Sequence, residues 1–213
     1  ATGSRMGAQE PKQFLRVGER MVLEMSVEAF EKSPQVDEIV IVSHPDHIER
    51  VREVVSRNGW RKVGQVVPGG KERWQSSWAA IEACEGRGEE TILLLHDAAR
   101  PFVDETVIGR CLAAFERHDA VVVGVPATDT LWHVGSDHTV QSVPPRSQYY
   151  CAQTPQAFRL GLIRQAYLLA QRDPEVMATD DCGILRHYLP QVPVAIAEGS
   201  PENKKITYPN DLK

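Results

Sequence analysis

No apolar run in the chain is long enough to span a membrane, and no charged-then-apolar leader opens it, so neither a membrane protein nor an exported one is expected. Positive charge is not in surplus: 24 Lys and Arg stand against 29 Asp and Glu, a formal net charge of -5. Nonspecific nucleic-acid binding needs cations to neutralise phosphates and is therefore excluded, although a small phosphorylated substrate is not. Cysteine is scarce. Cys84, Cys111, Cys151 and Cys182 show no C-x-x-C pair or metal-finger spacing, which argues for reduced, mostly structural thiols. The seven histidines are dispersed; His44 and His47 lie close together but lack companions at a zinc spacing, so no transition metal is assigned. Also missing is a G-x-G-x-x-G followed by an acidic residue about 20 positions on, the mark of a dinucleotide dehydrogenase. What remains is an ordinary globular composition, 42% hydrophobic and 25% charged over 213 residues. One cytoplasmic domain spanning residues 1–213 is the expectation.

Continuous apolar runs of strand length occur at Ile39-Val40-Ile41-Val42, Thr91 to Leu95, Ala120 to Val125 and Val194 to Ile196. Runs without alternation suit strands covered on both faces. Helical patterns lie between them: Leu23 to Phe30, Ile48 to Ser56, Trp74 to Ala83, Thr106 to Arg117 and Leu160 to Gln171. The alternation predicts an α/β fold with a mainly parallel sheet, whose ligands bind at the carboxyl ends of the strands. One stretch departs from it. Trp132-His133-Val134 and Thr139 to Val143 flank Gly135-Ser136-Asp137, which predicts a hairpin arm at about 130–150. Trp132, Tyr149 and Tyr150 would give such an arm aromatic contacts with a second copy of the chain.

The residues after the apolar runs carry the chemistry. At the start, Gly3-Ser4-Arg5-Met6-Gly7 and Pro11-Lys12-Gln13 combine small residues that admit a phosphate with an Arg and a Lys to neutralise it. Pro68-Gly69-Gly70-Lys71-Glu72-Arg73, with Ser76 and Ser77 following, reads as a strand-to-helix turn, whose glycines permit positive φ and bring amides near a nucleotide. His96-Asp97-Ala98-Ala99-Arg100-Pro101 follows the most hydrophobic run. Asp97 there is a candidate magnesium ligand and Arg100 faces an anionic substrate, while a plain Asp97–Arg100 salt bridge is the commoner explanation in an α/β protein. The two alanines leave room beside these charges. Asp129-Thr130, Arg146, Thr154-Pro155-Gln156, Thr179-Asp180-Asp181 and Asn203-Lys204-Lys205 add hydroxyls and cations; Thr179 resembles a helix N-cap.

Taken together and in this order, these motifs resemble the 2-C-methyl-D-erythritol 4-phosphate cytidylyltransferases almost end to end. They are joined by Lys205-Ile206-Thr207, Pro209 and Asp211-Leu212. The resemblance implies a Rossmann-like nucleotidyltransferase fold, a homodimer formed through the protruding arm, and Mg2+-dependent transfer of CMP from CTP. It places Arg5, Lys12 and Lys205 at the triphosphate as the catalytic cations. Ala1, Gly3, Gly69, Gly70, Lys71, Ser76 and Asp97 are placed at the nucleotide, with Asp97 also the metal ligand. Arg100, Thr130, Thr154 and Thr179 would hold the acceptor polyol phosphate, and Arg146 would act across the dimer.

The chain departs from the pattern at several points. Ala1 stands where a glycine is usual, Lys71 where an acidic residue is frequent, and Cys182 and Arg186 where alanine and an acidic residue are commoner. The strand before the opening loop and a closing helix after Leu212 are not in the 213 residues, and both ends are expected to be trimmed. Two alternatives stand beside this reading. A ribitol 5-phosphate cytidylyltransferase commonly carries valine at the position of Ala99. A non-catalytic nucleotide-binding module would have no need for cations aimed at a leaving group.

Overall fold

Residues 10–176 and 179–212 are described by a computed structural model. After a short 3-10 turn at Lys12–Phe14, the elements in chain order are β1 (Arg16–Val17), β2 (Arg20–Met21), α1 (Val22–Lys32), β3 (Ile39–Ser43), α2 (Ile48–Asn58), β4 (Val63–Pro68), α3 (Arg73–Ala83), β5 (Ile92–Leu95) and α4 (Glu105–Ala113). They continue with β6 (Ala120–Pro126), β7 (His133–Val134), β8 (Val140–Ser142), β9 (Tyr150–Arg159), α5 (Leu160–Ala170), α6 (Asp181–Tyr188) and β10 (Ala195–Glu198).

Local signals account for the helix ends. Apolar Val51, Val54 and Val55 at helical spacing give α2 one buried stripe. Gly59 then stops it at φ 64°, its N–H bonded back to Val55 and Ser56, a conformation glycine adopts without a Cβ penalty. Asp104 caps α4 by accepting from the Val107 N–H at 2.8 Å. Asp180 caps α6 in the same way, accepting from the Gly183 N–H at 2.8 Å, so the cap is Asp180 and not Thr179. The cap-like Thr179 was the one sign of helix α6 in the sequence: eight residues with buried Ile184 and Leu185 make too short a stripe to read.

The sheet is mixed, which corrects the expectation of a mainly parallel one. β3 and β4 pair in parallel as a two-stranded sheet, and a second sheet runs β10-β6-β9-β5. In it β10 is parallel to β6, while β9 is antiparallel to both β6 and β5. The ten residues of β9 include Pro155, joined to Thr154 by a cis peptide. A proline speaks against a central strand, which is why this one was not legible. Its direction follows from the excursion before it. β6 ends and β9 begins as a pair, Pro126 opposite Tyr150, and the intervening residues leave and return at that point. Within the excursion β7 and β8 form the expected hairpin.

Helices cover both sides of the four-stranded sheet. Tyr167, Phe158, Leu160, Ile163, Ile184 and Leu185 pack with Ile81 on one side, and Val107, Ile108, Cys111 and Phe115 pack against β6 and β9 on the other. Each such fully buried side chain contributes about 1.5–3 kcal/mol from apolar burial. Cys84 and Cys111 are buried free thiols; burial pushes Cys111 up to about 12. The antiparallel course of β9 matters most for the site: Leu95 at the end of β5 lies opposite Gln156, so Thr154 stands just beyond that end.

Candidate active site

The turn following β5 is fixed by a relay of hydrogen bonds. His96 is enclosed, with its ring 4.9 Å from that of Phe30, and burial takes its pKa down to about 4. Its Nε2 lies 3.1 Å from the Arg100 carbonyl and its Nδ1 3.0 Å from Thr154 Oγ1. A carbonyl can only accept, so Nε2 carries the proton and Nδ1 accepts from the Thr154 hydroxyl. The same hydroxyl oxygen accepts from the Asp97 N–H at 3.1 Å. Asp97 is thereby held by its backbone, and the turn closes through Arg100 N–H to the Asp97 carbonyl at 2.9 Å.

Ala98 and Ala99 tie the turn to its neighbours through their backbone carbonyls. The Ala98 carbonyl accepts from Ser26 Oγ at 2.8 Å and the Ala99 carbonyl from the Ile206 N–H at 2.8 Å.

The Asp97 carboxylate turns away from Arg100. Its Oδ2 is 2.6 Å from Lys205 Nζ, and its Oδ1 is 3.8 Å from Arg73 Nη2. Burial alone would raise its pKa, yet Lys205 and then Arg73 outweigh that and hold it below the usual carboxylate value. The salt bridge expected between Asp97 and Arg100 is therefore replaced by two others. Arg100 instead donates to the carbonyls of Asn203 at 2.8 Å and Ala152 at 3.0 Å, and its buried Nε has no hydrogen-bond partner among the described residues. It ties the segment carrying Lys205 to β9. Buried Asn203 strengthens the tie by donating to the Thr154 carbonyl at 2.8 Å. One residue beyond Lys205, the Ile206 carbonyl accepts from Lys12 Nζ at 3.3 Å.

Gly69 and Gly70 are in the expected turn but for a different reason. Neither has a positive φ; among the described glycines that belongs to Gly18, Gly59 and Gly86. A Cβ on Gly69 would stand 2.7 Å from Ser76 Oγ, and one on Gly70 2.3 Å from Gln75 Cβ. The pair is small so that the first turns of α3 can close on the end of β4. Lys71 is exposed and Ser76 half-buried there. Arg73, the first residue of α3, connects this turn to Asp97. Its Nη2 also donates to Asp181 Oδ2 at 2.7 Å, and Asp181 is fully buried. Tyr167 donates its hydroxyl to Asp181 Oδ1 at 2.5 Å.

Gln156 completes the group. Its Oε1 accepts from the N–H of Asp181 and Cys182, and its Nε2 donates to Asp180 Oδ2 at 2.8 Å. The structure thus gathers Lys12, Asp97, Arg100, Thr154 and Lys205, and joins them through Arg73 to the segment bearing exposed Thr179. Arg73, Gln156, Tyr167, Asp181 and Asn203 were not assigned roles from sequence; only a polar residue that is also buried would have marked them.

The remaining sequence candidates lie apart. Among the described residues no hydrogen bond or ion pair joins Thr130 or Arg146 to the Asp97 group. Arg146 donates to the Thr128 carbonyl at 2.6 Å and lines an open concavity of about 600 Å³ with Pro126, Ala127, Thr128 and Ser147. Ala1, Gly3 and Arg5 lie outside the described residues.

An ionised carboxylate beyond the end of β5, Lys205 paired with it, Lys12 bonded to the residue after Lys205, and a Gly-Gly turn into a helix alongside define the class as a nucleotidyltransferase of α/β fold. Over residues 1–213 the chain matches the IspD pattern, 2-C-methyl-D-erythritol 4-phosphate cytidylyltransferase, and it belongs to that family. A protein of that name from Thermobifida fusca is 42% identical across 99% of this chain and 86% of its own length. The bifunctional ribulose 5-phosphate reductase/CDP-ribitol pyrophosphorylase Bcs1 of Haemophilus influenzae is 39% identical across 99% of this chain, which spans 44% of that protein. Among solved structures, 4-diphosphocytidyl-2C-methyl-D-erythritol synthase from Anaerococcus prevotii superposes with a TM-score of 0.86 at 27% identity, covering 94% of this chain and 89% of that one.

Proposed function

We propose that the chain transfers CMP from CTP to 2-C-methyl-D-erythritol 4-phosphate, releasing pyrophosphate, as a step of isoprenoid precursor synthesis in the cytoplasm. The observation that carries this reading is the pairing of ionised Asp97 with Lys205. A cation on an exposed segment beside a fixed carboxylate is suited to a triphosphate that arrives with a divalent metal. An ionised phosphate oxygen of the acceptor attacks the α-phosphorus of CTP. The bond from that phosphorus to the bridging oxygen breaks, and the electron pair leaves with pyrophosphate. No side-chain nucleophile or proton transfer is needed, so the protein supplies positioning and charge.

Lys12 and Lys205, with Arg5, neutralise charge developing on the α-phosphate and the leaving pyrophosphate. Asp97 fits as a Mg2+ ligand, being ionised and fixed by Thr154. Among the described residues no group of three metal-ligating side chains accompanies it, so the other ligands would come from phosphates and water, as Mg2+ favours. Bound there, Mg2+ would supply Lewis-acid stabilisation of phosphate charge. Ala1, Gly3, Gly69, Gly70, Lys71 and Ser76 form the nucleotide side of this proposal. Arg100, Thr130 and Thr179 form the acceptor side, with Thr154 acting through the Asp97 turn it holds.

The arm pairs two copies in this proposal, bringing Arg146 to the partner's site. Trp132 is 65% exposed, and Val134, Val140, Val143, Tyr149 and Tyr150 are exposed with it; one arm does not cover these apolar groups by itself. Ribitol 5-phosphate is the second acceptor to weigh, on the likeness to the Haemophilus influenzae protein. Acceptor-dependent pyrophosphate release from CTP tests the proposal.

A further inference from the structure

Lys205 and Arg73 both face Asp97, but only one of them is free to change partners. Lys205 has a flexible stem and is 43% exposed. Arg73 is bound to Asp181, whose side chain is 0% exposed, and a buried carboxylate stripped of its cation is strongly destabilising. Arg73 is therefore pinned. Its location does not serve the helix either, since a cation in the first turn opposes the helix dipole.

We propose that Arg73, clamped by buried Asp181, is a positioning residue that orients the Asp97 carboxylate and ties it to the acceptor-side segment containing Thr179. This rests on the cytidylyl-transfer reading of the site. The 3.8 Å from Arg73 to Asp97 is too long for a hydrogen bond, so Arg73 aligns the carboxylate by charge and leaves both its oxygens open to other ligands. The four groups Asp97, Asp181, Arg73 and Lys205 sum to zero charge. Once Lys205 turns to a phosphate, one negative charge remains, and it sits at Asp97 because Asp181 is already matched. Arg73 thus limits the site to a single uncompensated charge, suited to a cation that arrives with the triphosphate.

Asp97 is fixed from two directions that begin at the same place. Its backbone is held by Thr154 of β9. Its carboxylate faces Arg73, which Asp181 holds, and the Asp181 N–H is in turn held by Gln156 of β9, two residues from Thr154. Displacement of the Thr179–Asp181 segment by an acceptor would move Arg73 relative to Asp97.

The test is a double-mutant cycle on Mg2+·CTP affinity, read by calorimetry with Arg73→Lys, Asp97→Asn and the pair. Lysine keeps the charge, but its shorter, more flexible stem does not hold an ammonium where the planar guanidinium places Nη2, against Asp181 and facing Asp97. Arg73→Lys is expected to weaken Mg2+·CTP binding about tenfold in the native background and to have no effect beside Asp97→Asn. Equal losses in both backgrounds, or no loss in either, would overturn the proposal, since a merely structural arginine acts without regard to Asp97. If Arg73→Lys unfolds, Arg73→Met with Asp181→Asn removes both buried charges together and is put through the same cycle with the same two outcomes. Wild-type pyrophosphate release is measured alongside. Its absence defeats the cytidylyl-transfer reading, whereas release with an additive cycle defeats only the role given to Arg73.

Discussion

Lys205 Nζ lies 2.6 Å from Asp97 Oδ2, across 108 positions of sequence, so the two charges assigned to triphosphate and metal neutralise each other in this structure. The contact has a simple cause. Ile206 is buried and its N–H is bonded to the Ala99 carbonyl, which brings the preceding lysine over the end of β5.

Lys205→Met is expected to lower kcat by at least about 100-fold, because a cation aimed at developing phosphate charge is lost. The half-exposed ion pair itself contributes less than about 1 kcal/mol, so the denaturation midpoint should barely move. Steady-state rates and urea melts of the same preparation check both halves; a large loss of stability with modest loss of rate would reassign Lys205 to structure.

His96 makes folding depend on pH. Burial lowers its pKa to about 4, from about 6.5 in an unfolded chain. A group depressed in this way contributes stability that is present above pH 6.5 and is lost as pH falls toward 4. The loss is on the order of 3 kcal/mol over that window. Denaturant melts at pH 7 and pH 4.5 should show it, and His96→Asn should narrow the difference. A wild-type protein equally stable at both would show that the imidazole is not buried neutral.

Thr154→Val keeps the shape of the side chain but strands the Asp97 N–H and His96 Nδ1. The cost expected is about 1–3 kcal/mol of stability, together with a fall in kcat as Asp97 loses its anchor. Thr154→Ser should restore most of both. If valine left kcat untouched, the relay through Thr154 would have no bearing on the chemistry.

Sedimentation at micromolar concentration should give a dimer, and Trp132→Ser with Tyr149→Ser should shift it toward monomer while far-UV circular dichroism stays unchanged. Arg146→Ala should reduce kcat/KM for the acceptor without altering the dimer. A native chain that sediments as a monomer would remove the cross-subunit role of Arg146.

Much of the frame was legible because periodicity reports burial. The helices α1 to α5 and the strands β3, β5, β6 and β10 sit within a few residues of their apolar runs, and the hairpin sits at its Gly-Ser-Asp turn. β9 was not, since Pro155 masks a strand buried between β5 and β6, and with it went the direction of the sheet. In the site, the turn after β5 was found from its charges, but their partners were not. Asp97 pairs with Arg73 and Lys205 rather than Arg100, and the distance in sequence from Arg73 to Asp181 is 108 positions, beyond any local pattern. Gly69 and Gly70 stand at the expected turn without the positive φ read from them, because a steric close approach and a positive φ leave the same residue type behind.

Acceptor-dependent cytidylyl transfer is read by pyrophosphate release from CTP with Mg2+. 2-C-methyl-D-erythritol 4-phosphate, ribitol 5-phosphate and no acceptor are compared on a full-length protein. Release is expected to be rapid with the first, much slower with the second and absent without acceptor; release favouring ribitol 5-phosphate, or no release with either, would overturn transfer to 2-C-methyl-D-erythritol 4-phosphate.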